Sequence, residues 1–241
     1  MEVIAFRYFG KFGHFLKAEA NVNWLSYPHP PRTVLLGLVG AVLGLPKDHS
    51  QVKLKGSSFA IAGKVPQTHW HKANIRQIFP SALTSSIKKG AKGSIGTSKN
   101  AKQLPQEWLL FPDYTVYASI PEPTLMQEFG QRMEERRWRF GPSLGLSEML
   151  AQLEWQGCYQ AQRLSEGIHR IETVVPTAQA KLQGATILQD QLAIRLLRMP
   201  QDVDEDRVFS FQDYAIERDG KGIPVETAEA WNVGDKTIMF L

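Results

Sequence analysis

Apolar and polar positions change their spacing several times along this chain, and each change delimits an element. Residues 3–9 (VIAFRYF) are rich in β-branched and aromatic side chains and read as a first strand. A glycine-punctuated loop and prolines at 28, 30 and 31 lead into the apolar run of residues 33–45 (TVLLGLVGAVLGL), where proline ahead of the first turn signals a helix start. Within that helix Gly37, Gly40, Ala41 and Gly44 form a stripe of small residues, although each glycine costs about 1 kcal/mol of propensity relative to alanine. Such a stripe predicts tight packing of the helix on a sheet. Residues 57–65 (SSFAIAGKV) and 112–120 (PDYTVYASI) read as the second and third strands. The next helix is predicted from Thr124, whose TLMQ fits a capping box, with Leu125, Phe129 and Met133 on one face and Gly141 and Pro142 ending it. Residues 150–159 (LAQLEWQGCY) read as a fourth strand.

This β-α-β-β-α-β order predicts an α+β protein with a ferredoxin-like (RRM-type) core. More than forty residues lie between the second and third strands, far more than a hairpin needs, and they contain the low-complexity basic tract SIKKGAKGSIGTSKNAKQ. Residues of about 70–108 are therefore expected to form a long inserted basic arm. After residue 163 come short candidate strands (IHRIETVV, QLAIRLLR, RVFSFQDYAIE, KTIMFL) separated by Gly, Pro and Asp turns. The expected organisation is a domain over residues 1–163 followed by a smaller β-rich C-terminal domain over 164–241.

Charge sharpens the picture. Residues 1–106 hold fifteen Lys/Arg against three acids, Glu2, Glu19 and Asp48, so they are net +12, while the remaining residues are net −8. No Asp or Glu occurs between Asp48 and Glu107, a stretch that includes Lys72, Arg76, Lys88, Lys89, Lys92, Lys99 and Lys102. A solvated surface normally mixes both signs, so the missing acids point to a polyanion; a plain solvated loop is the rival reading. The single cysteine, Cys158, excludes an internal disulfide framework and multi-cysteine metal sites, fits a reducing cytosol, and reads as a small buried hydrophobe. No secretory signal pattern opens the chain, and its longest apolar run is shorter than the ~20 residues of a spanning helix, so a cytoplasmic protein with no membrane segment is expected.

Two segments carry a resemblance. Residues 9–45 (FGKFGHFLKAEANVNWLSYPHPPRTVLLGLVGAVLGL) resemble the N-terminal signature of the Cas family-five proteins of type I CRISPR systems, in which a strand and a Gly/Phe loop lead to a proline-marked turn and a small-residue helix. Residues 141–150 (GPSLGLSEML) are similar to that family's glycine loop before the fourth strand. The resemblance implies an RNA-binding subunit of a Cascade complex in antiviral defence. Such a subunit caps the 5′ handle of the crRNA, contacts the backbone and large subunits, meets target DNA through the complex, and uses its inserted arm as a thumb.

Candidate residues follow from how single-stranded RNA is held, by phosphate neutralisation and by stacking of splayed bases. Lys88, Lys89, Lys92, Lys99 and Lys102, spaced by Gly and Ser, suit an arm that follows a backbone, with Lys72 and Arg76 in the same acid-free stretch. Tyr27 and Arg32 flank proline-stiffened chain near His14 and Lys17 and are candidates for gripping a bent handle; a core position is the alternative for Tyr27. Amides of the loop holding Gly141, Ser143 and Gly145 are candidates to cradle a phosphate, with ordinary turn chemistry as the rival. Arg136 and Arg137, with Arg139, either contact RNA or a partner or complement a helix C-terminus. His69 and His71 of THWHK make only half a metal site, so no metal or other cofactor is expected. The third strand lacks the aromatic pattern by which RRM sheets stack RNA, which moves the expected contact to loops and arm. Catalysis is not expected; the alternative is a metal-independent endoribonuclease that processes repeat RNA with His14, Lys17 and Tyr27 as acid–base groups.

If Lys88, Lys89 and Lys92 neutralise phosphates, replacing them should weaken binding almost equally for all RNA sequences. Each lost contact should then shallow the salt dependence by about 0.7 in log–log slope. A salt titration against two unrelated single-stranded RNAs measures both quantities.

Overall fold

The computed structural model of the protein describes residues 1–76, 101–204 and 206–241. In chain order the first part contains β1 (Glu2–Phe9), β2 (Phe12–Gly13), β3 (Phe15–Leu16), β4 (Ser26–Tyr27), α1 (Arg32–Leu43), α2 (Lys47–Lys53), β5 (Ser58–Ala62), β6 (Gln67–Arg76), β7 (Ala101–Leu110), β8 (Asp113–Ser119), α3 (Pro123–Glu134) and β9 (Gln152–Gln160). The C-terminal part adds β10 (Gln162–Arg163), β11 (Gly167–Ile171), β12 (Val175–Pro176), β13 (Lys181–Leu182), α4 (Gly184–Gln189), β14 (Ile194–Val203), β15 (Phe209–Glu217), β16 (Ile223–Thr227), β17 (Trp231–Val233) and β18 (Lys236–Ile238). The protein is a mixed α/β structure of one four-stranded sheet and several small antiparallel ones. Among the described residues no helix is long and apolar enough to cross a membrane.

Strand β1 is the hub. It pairs antiparallel with β8 on one side and β9 on the other, and β8 pairs with β5, giving the order β5-β8-β1-β9. Side chains alternate along a strand, so Ile4, Phe6 and Tyr8 share one face. They pack with Phe59, Val116 and Tyr114 against Leu35, Leu36 and Val39 of α1 and Met126, Phe129 and Met133 of α3. Phe6 meets Phe129 edge-on at a centroid distance of 5.8 Å. Val3 and Ala5 point the other way and join Ala60 and Tyr117 in a second cluster, closed by Val233 and Ile238 of the β17–β18 hairpin. Toward the other end of that face Arg7 pairs with Asp113 and Glu154 in solvent.

The helices depart from their sequence signals at the ends. Helix α1 begins after Pro31, as expected, without a side-chain cap, and ends at Gly44, whose φ of 80° is the left-handed region glycine enters at no steric cost. Its small-residue stripe does not face the sheet. An added Cβ at Gly40 would meet the Ser50 side chain of α2 at 2.6 Å, one at Gly44 would meet Arg139, and one at Gly37 would meet nothing within 4 Å. The sheet is served instead by the leucines and valines between these positions. In α3 the capping box at Thr124 is not used: Glu122 occupies the N-cap and Pro123 the first turn. The helix also stops before Gly141, at Glu135, followed by Arg136 with a φ of 54°. The released segment turns back, and the amides of Arg139 and Phe140 donate to the carbonyls of Val42 and Ala41 at 3.2 and 3.0 Å. They satisfy the end of α1 rather than extend α3.

Residues after Arg163 have a small cluster of their own around Ile171, Ala215, Ile223 and Val225. They also place Val174, Met199, Tyr214, Ile216 and Leu241 in the main core beside α1 and the large sheet. Arg32, at the start of α1, fastens the two parts: it donates to the carbonyls of Gln201, Lys55 and Ser57 and lies 3.6 Å from Asp202. Cys158, expected inside, is exposed near the end of edge strand β9 with its thiol donating to Glu2 at 3.0 Å.

His29 is fully buried among these elements, with Nε2 donating to the Gly63 carbonyl at 3.1 Å and Nδ1 without a partner. Burial disfavours the imidazolium and pushes the pKa down to about 4. The folded pKa lies below the unfolded one, so the unfolded chain binds the extra proton between them. Stability should therefore be complete above about pH 6.5 and fall as the pH drops toward 4, by up to about 3 kcal/mol from this group at roughly 1.4 kcal/mol per pKa unit. Urea unfolding at pH 7.5, 6 and 5 reads the slope, and His29→Gln should flatten it.

Candidate nucleic-acid interface

The loop residues singled out from the sequence converge at one end of the sheet. Strand β3 continues from β2 and pairs with β4, so that Phe15 lies opposite Tyr27. His14 sits between them and the arm: its amide donates to the Leu144 carbonyl at 2.9 Å, and its Nδ1 donates to the Glu107 carbonyl of β7 at 2.8 Å. A carbonyl only accepts, so the proton is on Nδ1 and Nε2 is the bare nitrogen, buried without a partner among the described residues. Burial lowers the His14 pKa, opposed by the Glu107 carbonyl. The glycine loop closes directly over this residue. Gly145 has a φ of 95°, and a Cβ there would lie 1.8 Å from the His14 carbonyl oxygen. Tyr8 ties the same loop to the sheet, its hydroxyl donating to the Ser143 carbonyl at 2.5 Å, and Tyr114 does likewise for the proline turn, donating to the Pro28 carbonyl at 2.6 Å.

Burial decides what these groups offer a ligand. His14 and Tyr27 are each 1 % exposed, and the Tyr27 hydroxyl donates to Glu19 at 3.1 Å. Tyr27 is therefore a core aromatic and not a stacking platform, because its ring is spent on packing Phe15 and its neighbours. Arg32 is also inside, its guanidinium consumed by three carbonyls and Asp202, so it is corrected from an RNA contact to a structural clamp. Lys17 holds its ammonium 5.7 Å from the Tyr27 ring centroid at the boundary of the core. In the glycine loop, Leu144, Met149 and Ala151 use their amides internally at 2.8–3.0 Å, which leaves those of Ser143, Gly145 and Leu146 without acceptors among the described residues. Gly141 is at the surface, with open space where a side chain would be. Arg136 and Arg137 are exposed, and Arg137 pairs with Glu135.

The arm is described at its base. Strands β6 and β7 pair antiparallel without interruption from Gln67 opposite Leu110 to Arg76 opposite Ala101, and β2 adds a third strand. Alternation puts His69, His71 and Trp108 on one side and Trp70, Lys72 and Glu107 on the other. His71 stacks on Trp108 at 4.1 Å, Phe12 leans on the same indole at 5.2 Å, and the Lys11 ammonium lies 5.5 Å from the Phe12 ring. Trp70 keeps 52 % of its surface in solvent, with Lys72 and Lys102 exposed on the same ribbon. The sequence reading passed over Lys11, Phe12, Trp70 and Trp108; the signal was THWHK itself, weighed there only as a metal motif. Among the described residues no group of three or more His, Cys, Asp and Glu is arranged to hold a metal. Lys88, Lys89, Lys92 and Lys99 lie outside the described residues, as does the side chain of Arg76.

No family model matches the chain, and no curated protein matches it by sequence. Solved structures do. A chain of a CRISPR RNA-guided surveillance complex superposes with a TM-score of 0.55 at 14% identity, covering 92% of this chain and 91% of that one. A CRISPR protein from Archaeoglobus fulgidus gives 0.55 at 11% identity over 99% and 98% of the two chains. A Cas protein gives 0.50 at 11% identity over 92% and 95%. The chain has the fold of CRISPR-associated proteins. Coverage near the full length of both partners means that this Cas-type fold includes the C-terminal strands as well as the large sheet. The neighbours are Cas proteins, as the resemblance in residues 9–45 and 141–150 implies.

Gly145→Ala should destabilise the protein, since the methyl collides with backbone rather than with a side chain that can move, and the left-handed φ adds about 1 kcal/mol. A lower Tm with loss of the near-UV aromatic signal is expected; an unchanged Tm would mean the two loops are not locked together.

Proposed function

We propose that this protein is the non-catalytic subunit of a type I Cascade complex that binds and caps the 5′ handle of the crRNA, contacting the backbone and large subunits from the cytoplasm. The observation that carries the reading is the β6–β7 ribbon. It leaves the body beside the glycine loop, bears solvent-exposed Trp70, Lys72 and Lys102, and continues into the acid-free sequence that holds Lys88, Lys89, Lys92 and Lys99. Lysines supply a sequence-independent grip on phosphates, and an exposed indole supplies a plate for an unstacked base. The amides of Gly145 and Leu146 at the ribbon's foot add uncharged donors for a phosphate.

The body to which the ribbon is attached is read as a ferredoxin-like core: β1, α1, β5, β8, α3 and β9 follow in that order, and the sheet order β5-β8-β1-β9 is fully antiparallel. Its free-standing relatives stack RNA on the open sheet face, but here part of that face lies under β17–β18 and the rest carries the Arg7–Asp113–Glu154 ion pairs. This supports contact through ribbon and loops. The endoribonuclease reading draws no support from the geometry, because two of its three groups, His14 and Tyr27, are sealed from solvent and held by internal hydrogen bonds. Target DNA is met through the assembled complex.

The test is RNA binding by the complex assembled with its neighbouring subunits, using guides with the cognate handle and with a scrambled one. Trp70→Ala should weaken binding of the cognate guide by about 1–3 kcal/mol, the worth of one stacked base, without lowering Tm. The repeat RNA should be recovered uncut with and without divalent metal. Wild-type affinity for Trp70→Ala together with Lys72→Ala and Lys102→Ala, or metal-independent cleavage lost in His14→Ala, would overturn the reading.

A further inference from the structure

The outer edge of β7 is braced by the chain segment that runs from β2 to β4, and the brace centres on Glu107. Strand β2 pairs Gly13 with Leu109 and the chain then turns away. The next acceptor along this edge, the Glu107 carbonyl, is met by the His14 ring instead, with Nδ1 donating at 2.8 Å. Trp24 takes the positions that follow: the Glu107 amide donates to the Trp24 carbonyl and the Trp24 amide to the Pro105 carbonyl, each at 2.8 Å. The Glu107 carboxylate reaches further and accepts the Ser26 amide at 3.0 Å. One residue thus holds three successive parts of the segment, with its carbonyl, its amide and its side chain.

Charge and backbone chemistry both single out this joint. Glu107 is the first acid after Asp48, so a negative charge stands at the foot of a cationic ribbon, where it repels phosphate. Its service to Ser26, which is 5% exposed, accounts for it, because a buried amide without an acceptor is costly. Pro105 marks where the brace stops, since proline has no amide to donate. From Ala73 opposite Leu104 to Arg76 opposite Ala101, β6 and β7 run on as a two-stranded ribbon among the described residues, the form of sheet that twists most strongly. The direction of the ribbon is therefore decided at Glu107. His14 carries it to the glycine loop, its own amide donating to the Leu144 carbonyl at 2.9 Å.

We propose that Glu107 is a positioning residue for RNA: through His14, Trp24 and Ser26 it fixes the angle of the β6–β7 ribbon, so that Trp70, Lys72 and Lys102 act on the same strand as the glycine loop. It touches no ligand itself. The proposal deepens the handle-capping reading and rests on it. Two linked contact points reinforce each other only when their spacing matches the ligand. Loosening the joint removes that reinforcement and leaves the lysines their hold on any phosphate chain.

The experiment has two readouts. In the full chain carrying Cys158→Ser, spin labels at Asn74→Cys on the ribbon and Gln127→Cys on α3, both exposed positions, report the ribbon-to-body distance by double electron–electron resonance. The distribution should be narrow with Glu107 in place, broaden in Glu107→Ala and narrow again in Glu107→Gln, whose amide oxygen still accepts from Ser26. Should Glu107→Ala fail to fold, Glu107→Asp, one methylene short of that amide, should broaden it in smaller measure. In the assembled complex without labels, Glu107→Ala should weaken binding of the cognate guide about tenfold, within the worth of one stacked base, while a scrambled handle binds as before and Glu107→Gln restores the cognate affinity. An unchanged distance distribution in Glu107→Ala and Glu107→Asp overturns the brace and leaves the handle-capping reading standing. A broadened distribution with undiminished cognate binding overturns the positioning role alone, provided Trp70→Ala still weakens that binding. If the wild-type complex does not distinguish the two handles, the handle-capping reading falls and the positioning role falls with it.

Discussion

Burial of the helix-facing side of one four-stranded sheet is the constraint from which the rest of this structure follows. One face is sealed by α1 and α3, and the other is covered at one end by the β17–β18 hairpin, with Arg7, Asp113 and Glu154 exposed beyond it. With one face sealed and the other partly covered, the candidate contacts lie mostly on the segments that leave the sheet and return. There are two conspicuous excursions: the ribbon between β5 and β8, and the hairpin formed by β14 and β15. They differ in chemistry as well as position. The first is basic and aromatic, and the second is net acidic in sequence.

The loops at the sheet's end are held by groups that reach out from inside it. Tyr8 and Tyr114 occupy the helix-facing side of the sheet, yet spend their hydroxyls on the carbonyls of Ser143 and Pro28. Burial raises the pKa of both phenols well above its ordinary value, so they remain donors across the physiological range. Arg32 acts in the same manner at the other end of α1. A buried cation is tolerable only when its fork of donors is satisfied, and three carbonyls with one carboxylate do this while joining the helix start to β14. The loops at the ribbon's foot and the start of α1 are thus tied to the core although they lie at the periphery.

Much of this architecture was legible in the sequence, for identifiable reasons. Strands β1, β5 and β8 combine β-branched and aromatic density with clear boundaries, and the proline before α1 is unambiguous. The acid-free stretch between Asp48 and Glu107 located the basic excursion without any structural input. Errors arose where a local signal competed with a tertiary partner. Thr124 offered a capping box, but Pro123 fits the first turn better, and Gly141 looked like a helix stop although α1 recruits the preceding residues to cap itself. The small-residue stripe was read as serving the sheet because periodicity cannot say which neighbour a face will meet. Tyr27 and Arg32 failed as surface residues for the same reason: residue type shows what a side chain can bind, and only the fold shows whether the partner is the protein itself.

The central position of β1 also bears on how the protein is made. Its eight residues leave the ribosome well before their partners, residues 113–119 and 152–160. Until those emerge, an apolar, β-prone strand and a long glycine-rich helix wait without a sheet, and closing such distant pairs is slow because chain entropy is lost before contacts form. The nascent chain is also strongly cationic throughout that interval, since the compensating acids come mostly after residue 106. Over this interval translation presents a polycationic segment with an unsatisfied hydrophobic strand, a species prone to misassociation. Early production of its acidic second half, or of an anionic ligand for the first, would shorten that exposure.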